Sequence, residues 1–242
     1  MAAACTVLFR QPLTRLSRSS TCTKLHARHR GLASVTTRAR SRQPARLRFV
    51  LAAESVPKVG ALCGEDAYFA SHSLSAFGIA DGVGSWSTRG INAGLFSRGL
   101  LQHALKEMSR RAAALERVDL QDVLLQAVNR MIADETQGST TVLLGQAHGD
   151  SVSVLNLGDS GIRVLRPMVQ EPVFYGGQKS SVLRCIYRSS SILHRENLPW
   201  QVSSEDKSGS ELAGCDLVTV QLKVDDLIIA GCDGLFDNIS EA

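Results

Sequence analysis

Residues 67–82 read AYFASHSLSAFGIADG. Two apolar, strand-like segments, Ala67 to Ser71 and Ala76 to Ala80, lie on either side of a short polar stretch. The second segment runs directly into Asp81-Gly82, a dipeptide that is typical of turns. The pattern predicts two consecutive strands with a carboxylate at the end of the second one.

Two amphipathic helices are predicted after this turn. Apolar residues recur with the helical period from Ile91 to Met108, and again from Leu120 to Ile132, where Asp119 would be the N-cap. Each apolar face should pack on a sheet, and a helix that binds a partner or a membrane surface is the alternative interpretation.

The second half of the chain is predicted to be mostly strands. Alternating or continuous apolar segments, separated by Gly- and Asp-containing turns, occur at 140–145, 152–157, 162–165, 217–224 and 227–230. Strands, two helices and then a meander of strands favour an α+β layered domain over repeated βαβ units. Residues 167–215 are broken by Pro, Gly and Ser clusters, so we expect long loops there with one strand among them.

The N-terminal segment differs sharply in charge from the rest of the chain. Residues 1–53 contain ten Arg and one Lys, and Glu54 is the first acidic residue; the remainder has 16 basic and 23 acidic residues. An Arg- and Ser-rich segment without acidic residues is typical of an organellar transit peptide. We therefore predict a leader at 1–53 and one domain at 54–242. A basic arm that binds nucleic acid or anionic lipid is the alternative.

The destination of this leader stays open between two organelles. Residues 30–34 resemble a mitochondrial processing site, whereas residues 50–53 resemble a plastid one. No apolar run reaches the roughly 20 residues that a membrane span needs, so no span is predicted. The six cysteines form no C-x-x-C pair, which argues against a zinc site or a disulfide framework.

Three short acidic turns are the candidate functional residues. They are Gly64-Glu65-Asp66, Ala80-Asp81-Gly82 and Gly231-Cys232-Asp233-Gly234. Carboxylates that lie together repel one another unless they hold protons or bind cations, and oxygen ligands of this kind suit Mg²⁺ or Mn²⁺. Each Asp-Gly alone is most often only a turn, and composition does not join the three into one site.

Five motifs in order carry a resemblance to a known family. They are GEDA (64–67), ADGVGSW (80–86), GSTT (138–141), NLGDSG (156–161) and DGLFDN (233–238). Together they resemble the protein phosphatase 2C family, and most closely its organelle-directed branch. The match runs from about residue 60 to 239, except for the stretch after Pro167.

The resemblance implies an α+β fold, a central antiparallel β-sandwich flanked by helices, with a two-metal site for Mg²⁺ or Mn²⁺ at one end. Asp81 resembles the carboxylate that bridges both metals, and Gly82 would lend its carbonyl to one of them. Glu65 and Asp66 would hold that metal mostly through water, and Asp233 would bind the other.

The implied reaction is hydrolysis of phosphoserine or phosphothreonine in proteins by a metal-activated water, without a phosphoenzyme. Asp81 and Asp233 are the implied catalytic residues, and a phosphoprotein is the implied partner. Asp159 and Asp237 match positions linked to a weaker third metal site, with turn capping as the equal alternative. Cys232, next to Asp233, is a candidate nucleophile, but its position at the end of an apolar strand favours a buried structural thiol.

The sequence departs from the family in three respects. Val83 stands where many members carry His, and Ala61 stands where many carry a phosphate-holding Arg. Family members also continue past the Asp-Gly-Leu-Phe-Asp turn to a closing strand that adds a metal-binding carboxylate, whereas this chain ends at Ala242. The domain is therefore expected to be incomplete at its C-terminus, either as a fragment or as a poorly folding, weak catalyst.

Two other functions follow as alternatives. The first is a catalytically weak or inactive protein of the same fold that binds phosphoproteins or regulates a partner. The second is nucleic-acid binding through the basic arm, which we do not expect, because Phe9 is the one aromatic residue before Phe49 and stacking platforms for bases are lacking.

Overall fold

The structure is a computed structural model that describes residues 4–10, 49–56, 64–169, 181–196, 198–206 and 208–239. Its strands are β1 (Ala4–Arg10), β2 (Val50–Val56), β3 (Ala67–Ser71), β4 (Ala76–Ala80), β5 (Ser139–Thr140), β6 (Val142–His148), β7 (Ser151–Leu157), β8 (Gly161–Val169), β9 (Ser181–Arg188), β10 (Leu193–Arg195), β11 (Leu198–Pro199), β12 (Val202–Ser203), β13 (Asp216–Gln221) and β14 (Leu227–Gly231). Its helices are α1 (Ala93–Ala113), α2 (Leu120–Ala133) and the short α3 (Asp233–Phe236), with 3-10 helices at Gly84–Arg89 and Ser210–Gly214.

Two antiparallel sheets of five strands each form the centre of the described structure. The first sheet has the order β2-β1-β14-β8-β9, and the second has the order β13-β7-β6-β4-β3. In the second sheet β3 pairs with β4, as expected for consecutive segments joined by a turn, and β4 pairs with β6, which follows the two long helices in the chain. The predicted α+β class with a central antiparallel sandwich is confirmed.

One hydrophobic core fills the space between the two sheets. On β6, Leu143 joins this core, while its neighbours Val142 and Leu144 join a second core on the opposite face, because successive side chains of a strand alternate. The residues of the inter-sheet core that come from both sheets include Phe77, Ile79, Val152, Val154, Ile162, Val164, Ile228 and Ala230.

The two long helices cover the outer face of the second sheet. Asn92 caps α1 by accepting a hydrogen bond from the Gly94 amide at 3.0 Å. Asp119 caps α2 as predicted, with its Oδ1 accepting from the Gln121 amide at 2.9 Å. The helix residues of the second core include Phe96, Leu100, Ala104, Met108, Leu124, Ala127 and Met131. The helices therefore pack on the sheet, as their periodicity predicts. Among the described residues, no helix has the length and apolar character to span a membrane.

The prediction of long loops for residues 167–215 is wrong. The eight-residue strand β9 pairs with β8 at the edge of the first sheet, and three shorter strands follow it. Most side chains of β9 are exposed, so this strand lacks the alternating burial that a sequence pattern would reveal. The β8–β9 pairing also shifts register at Val164/Leu165, which is a bulge and further disturbs the alternation. Residues 170–180 lie outside the described residues.

Part of the predicted leader lies in the first sheet. The strand β1 pairs with β14 on one side and with β2 on the other. It therefore covers the edge of β14 and joins β2 to the rest of the sheet. Cleavage at either candidate processing site would remove β1, and such cleavage stays a prediction. The site at 30–34 and the C-terminal residues 240–242 lie outside the described residues.

Candidate active site

The acidic turns meet at one end of the sandwich. Asp66 directly precedes β3 and Asp81 directly follows β4, and the register places Ala67 opposite Ala80, so these two carboxylates share one end. Similarly, β14 ends opposite the start of β8, where Gly231 pairs with Gly161. Asp233 follows that end of β14, and the turn between β7 and β8 brings Asp159 to the same region.

Asp66, Asp81 and Asp233 form one connected cluster with Cys232. The carboxylates of Asp81 and Asp233 and the sulfur of Cys232 have ligand atoms within 4.8 Å of one another. The Cys232 thiol donates to Asp66 Oδ2 at 3.7 Å, and Asp66 and Asp233 both lie close enough to the Asp81 carboxyl to raise its pKa. The structure thus brings together the carboxylates of all three acidic turns that the sequence singles out.

Cys232 is fully buried, with 0% of its surface exposed. This burial supports the structural-thiol interpretation over a nucleophile, because a reactive thiolate needs access and a stabilised charge. Sequence reasoning missed its contact with Asp66, although its position next to Asp233 at a strand end was a signal that the thiol lies beside the cluster.

Burial raises the pKa of the Asp81 carboxyl to about 10, and the charges of Asp66 and Asp233 act in the same direction. Asp81 therefore holds a proton at neutral pH unless a cation replaces that proton. A set of half-buried carboxylates that lie close together fits a hard divalent cation such as Mg²⁺ or Mn²⁺.

The GSTT motif holds Asp81 in position. The Asp81 carbonyl oxygen accepts a hydrogen bond from the Thr141 amide at 3.0 Å and another from the Thr140 hydroxyl at 2.8 Å. Ser139 Oγ in turn accepts from the indole nitrogen of Trp86 at 2.6 Å, which ties down the turn after Asp81. The sequence pattern singles out this motif but predicts no role for it. The structure shows that the motif orients Asp81, one of the carboxylate residues of the cluster.

Glu65 lies against the Asp81-Gly82 turn. A Cβ atom on Gly82 would lie 2.5 Å from the Glu65 carbonyl oxygen and 2.6 Å from Ser97 Oγ, so no side chain fits there. The Glu65 carboxylate is also close to Gly84, where a Cβ would lie 3.1 Å from Oε2. The two glycines allow the Glu65 segment to approach the turn closely.

Asp159 and Asp237 lie beside Asp233 in one cavity of about 530 Å³. Burial raises the pKa of the Asp159 carboxyl, and the charges of Asp233 and Asp237 raise it further. The two residues assigned to a third metal therefore adjoin the main cluster. Sequence reasoning missed two cationic residues of the same cavity, Arg163 and Arg188, since the second lies in the stretch predicted as loops.

The sequence differs from many family members at Val83 and Ala61, and the structure describes only the first of these residues. Val83 is half-buried just before the 3-10 helix Gly84–Arg89, and it offers no proton donor. Ala61 lies outside the described residues.

Comparisons with known proteins agree with this geometry. No family model matches the chain. The chain is 34% identical over 188 residues to "Probable protein phosphatase 2C 71" of Oryza sativa subsp. japonica, an alignment that covers 76% of this chain and 35% of the rice protein. The chain thus spans about a third of the length of that relative.

Two solved structures share the fold. The photosystem II phosphatase PBCP is 30% identical, with a TM-score of 0.59 over 73% of this chain and 62% of that one. The catalytic domain of the serine threonine protein phosphatase PstP, solved with 2 manganese ions, has a TM-score of 0.51 over 78% of this chain and 79% of that one. At 17% identity, the second likeness concerns the fold alone.

Proposed function

We propose that this chain, which belongs to the protein phosphatase 2C family, hydrolyses phosphoserine and phosphothreonine in proteins with a metal-activated water. The observation that carries the proposal is the convergence of Asp66, Asp81 and Asp233 in one cluster, in which the Asp81 carboxyl must hold either a proton or a cation. An assembly of this kind has no structural benefit of its own, because like charges that are removed from water destabilise a fold.

The resemblance to the family implies which residues would hold the cations. Asp81 would bridge two ions, with the Gly82 carbonyl, Glu65 and Asp66 on one ion and Asp233 on the other. Asp159 and Asp237 would hold a weaker third ion. When bound, Mg²⁺ or Mn²⁺ supplies Lewis acidity that lowers the pKa of water and offsets charge on phosphate oxygens.

The chain itself contributes orientation and shielding. Thr140 and Thr141 fix the backbone of Asp81, so that its carboxylate is positioned before any ligand binds. The buried Cys232 side chain closes the inner side of the cluster. Because Val83 has no acidic proton, the leaving alkoxide would take its proton from water or from another side chain.

We extend the proposal to the location of the protein in the cell. We propose that it acts in an organelle, and we favour the plastid over the mitochondrion. The supporting observations are the acid-free basic segment at 1–53 and the likeness to a phosphatase of photosystem II. A fluorescent reporter fused behind residues 1–53 should enter plastids, and a reporter that stays in the cytosol or enters mitochondria would contradict this extension.

Hydrolysis of a phosphothreonine peptide tests the proposed activity. We expect phosphate release with Mn²⁺, none with EDTA, and a loss of at least about 100-fold in Asp81→Asn. The matched control is Asp150→Asn in an exposed turn, which should keep full activity. Folded wild-type protein that binds Mn²⁺ without releasing phosphate would contradict the proposal and favour the non-catalytic binding protein.

A further inference from the structure

The second turn of α1 packs against two of the three acidic turns. Its Ser97 is fully buried, and Ser97 Oγ lies so close to Gly82 that no side chain fits at that position. The next residue, Arg98, is half-buried, and its Nη1 donates a 3.0 Å hydrogen bond to the Gly64 carbonyl oxygen. Adjacent residues of one helix therefore contact the Gly82 turn and the segment that contains Glu65.

The Arg98 side chain lies in a narrow space beside its own helix. A Cβ atom on Gly94 would lie 2.8 Å from Arg98 Nη1 and 2.8 Å from the Gly64 carbonyl oxygen. Gly94 is one helical turn before Arg98, so the two residues lie on the same side of α1. The absence of a side chain at Gly94 thus allows the guanidinium group and the Gly64 carbonyl group to approach the helix together.

The contact with Gly64 involves a segment without regular secondary structure. Residues 64–66 belong to no helix or strand, and the pairing of β3 with β4 begins at Ala67. Backbone outside a helix or sheet retains more conformational freedom, so a side chain that binds one of its carbonyl groups limits where the neighbouring side chains can lie. Here these neighbours are Glu65 and Asp66, the residues proposed to hold one cation.

We propose that Arg98 is a positioning residue of the metal site, which holds Glu65 and Asp66 in place through the Gly64 backbone. The inference rests on the proposed function, which assigns these two carboxylates to one cation. Arg98 itself would not bind the cation, because its guanidinium group is positively charged and has no acceptor. Replacing a residue that orients metal ligands typically lowers metal affinity or activity by about 10-fold to 100-fold.

The positive charge of Arg98 makes a positioning role distinguishable from a purely electrostatic one. A positive charge close to the acidic turns opposes the binding of a cation, so its removal alone would increase the affinity for Mn²⁺. Loss of the hydrogen bond to Gly64 would release residues 64–66 and decrease that affinity. Solvent weakens the Coulomb interaction of a partly exposed side chain, so we expect the decrease to be the larger effect.

Calorimetric titration of Mn²⁺ into the metal-free protein tests this role. We expect Arg98→Met, which removes the donors and keeps an unbranched side chain, to weaken Mn²⁺ binding by about tenfold. Arg98→Lys keeps a charged donor and should recover most of the affinity. The matched control is Arg130→Met on the exposed side of α2, which removes the same charge and should bind Mn²⁺ as the wild type does.

A second variant changes the same contact without changing the charge. In Gly94→Ala the new Cβ atom would displace the Gly64 carbonyl oxygen, although alanine favours a helix more than glycine does. We expect the affinity for Mn²⁺ to fall by about tenfold here too. Thermal denaturation in EDTA shows whether each variant is folded.

Three results would overturn the inference. They are unchanged or tighter Mn²⁺ binding by folded Arg98→Met, the same loss in Arg130→Met, and wild-type affinity in folded Gly94→Ala. Hydrolysis of the phosphothreonine peptide is measured separately on the wild type. Mn²⁺ binding without hydrolysis contradicts only the proposed function, and hydrolysis with unchanged Mn²⁺ affinity in Arg98→Met contradicts only this inference.

Discussion

The Thr140 hydroxyl donates a 2.8 Å hydrogen bond to the backbone carbonyl oxygen of Asp81, a residue 59 positions earlier in the chain. Thr140 is fully buried, and its hydroxyl is also 2.9 Å from the Thr141 carbonyl oxygen. The position of the central carboxylate therefore depends on a neutral side chain.

Replacing Thr140 by Val tests this relationship. Valine keeps the shape and removes the hydroxyl, so the free energy of unfolding should fall by about 1 kcal/mol while the Asp81 backbone loses a donor. We expect kcat for a phosphothreonine peptide to fall by about tenfold, since small displacements of a reacting group are costly. The control is Thr219→Val on the exposed face of β13, which should leave kcat unchanged. Equal kcat in both variants would show that Thr140 does not position Asp81.

The raised pKa of Asp81 predicts how the metal-free protein responds to pH. The ordinary value is 3.8 and the folded value is about 10, so between these values the folded protein binds more protons at Asp81 than the unfolded protein does. The free energy of unfolding in EDTA should therefore decrease as pH rises from about 4 to about 10. Urea denaturation at pH 6, 7 and 8 measures this decrease, which should be smaller in Asp81→Asn. The same slope in both proteins would contradict the assignment.

An ion pair away from the cluster ties the β13–β14 turn to β8. Asp226 is 2% exposed and accepts from Arg166 Nε at 2.8 Å and Nη2 at 2.7 Å, and also from the Lys223 amide at 2.7 Å. Asp226→Ala leaves the guanidinium and the amide without this partner, so unfolding should cost about 3 kcal/mol less. Thermal denaturation should show a drop of several degrees, and Asp150→Ala in an exposed turn serves as the control. A drop of the same size in both variants would refute the ion pair's role.

The strand β1 should matter for stability in any form of the protein that retains it. Val7 lies opposite Ala230 on one side and opposite Ala53 on the other. Val7→Pro removes a backbone donor from the middle of the sheet, which we expect to cost at least about 1 kcal/mol. Identical melting of the proline variant and wild type would show that β1 does not hold the sheet together.

Much of the fold was predictable because its signals are local. The bounds of β3 and β4, Ala67–Ser71 and Ala76–Ala80, agree with the sequence prediction, and α2 begins directly behind its predicted cap, Asp119. Short alternating segments and capping residues depend on near neighbours in the chain, so a single sequence contains them.

The remaining features depend on contacts between distant segments. The strand β1 carries the composition of a leader, and only its pairing with β14, more than two hundred residues later, makes it part of the sheet. The contact between Cys232 and Asp66 joins residues that are 166 positions apart in the chain. The position of Arg188 is set by the pairing of β9 with β8, in which it lies opposite Arg163. No local pattern encodes such pairings. The acidic turns were joined into one site through the family resemblance rather than through their spacing.

The most direct measurement is calorimetric titration of Mn²⁺ into the metal-free protein at one pH. We expect the wild type to bind Mn²⁺, and we expect a loss of at least about 100-fold in affinity in both Asp81→Asn and Asp233→Asn. Asp216→Asn, on the exposed side of β13, should bind as the wild type does. Unchanged Mn²⁺ affinity in Asp81→Asn and Asp233→Asn would contradict the claim that these converging carboxylates form the metal site.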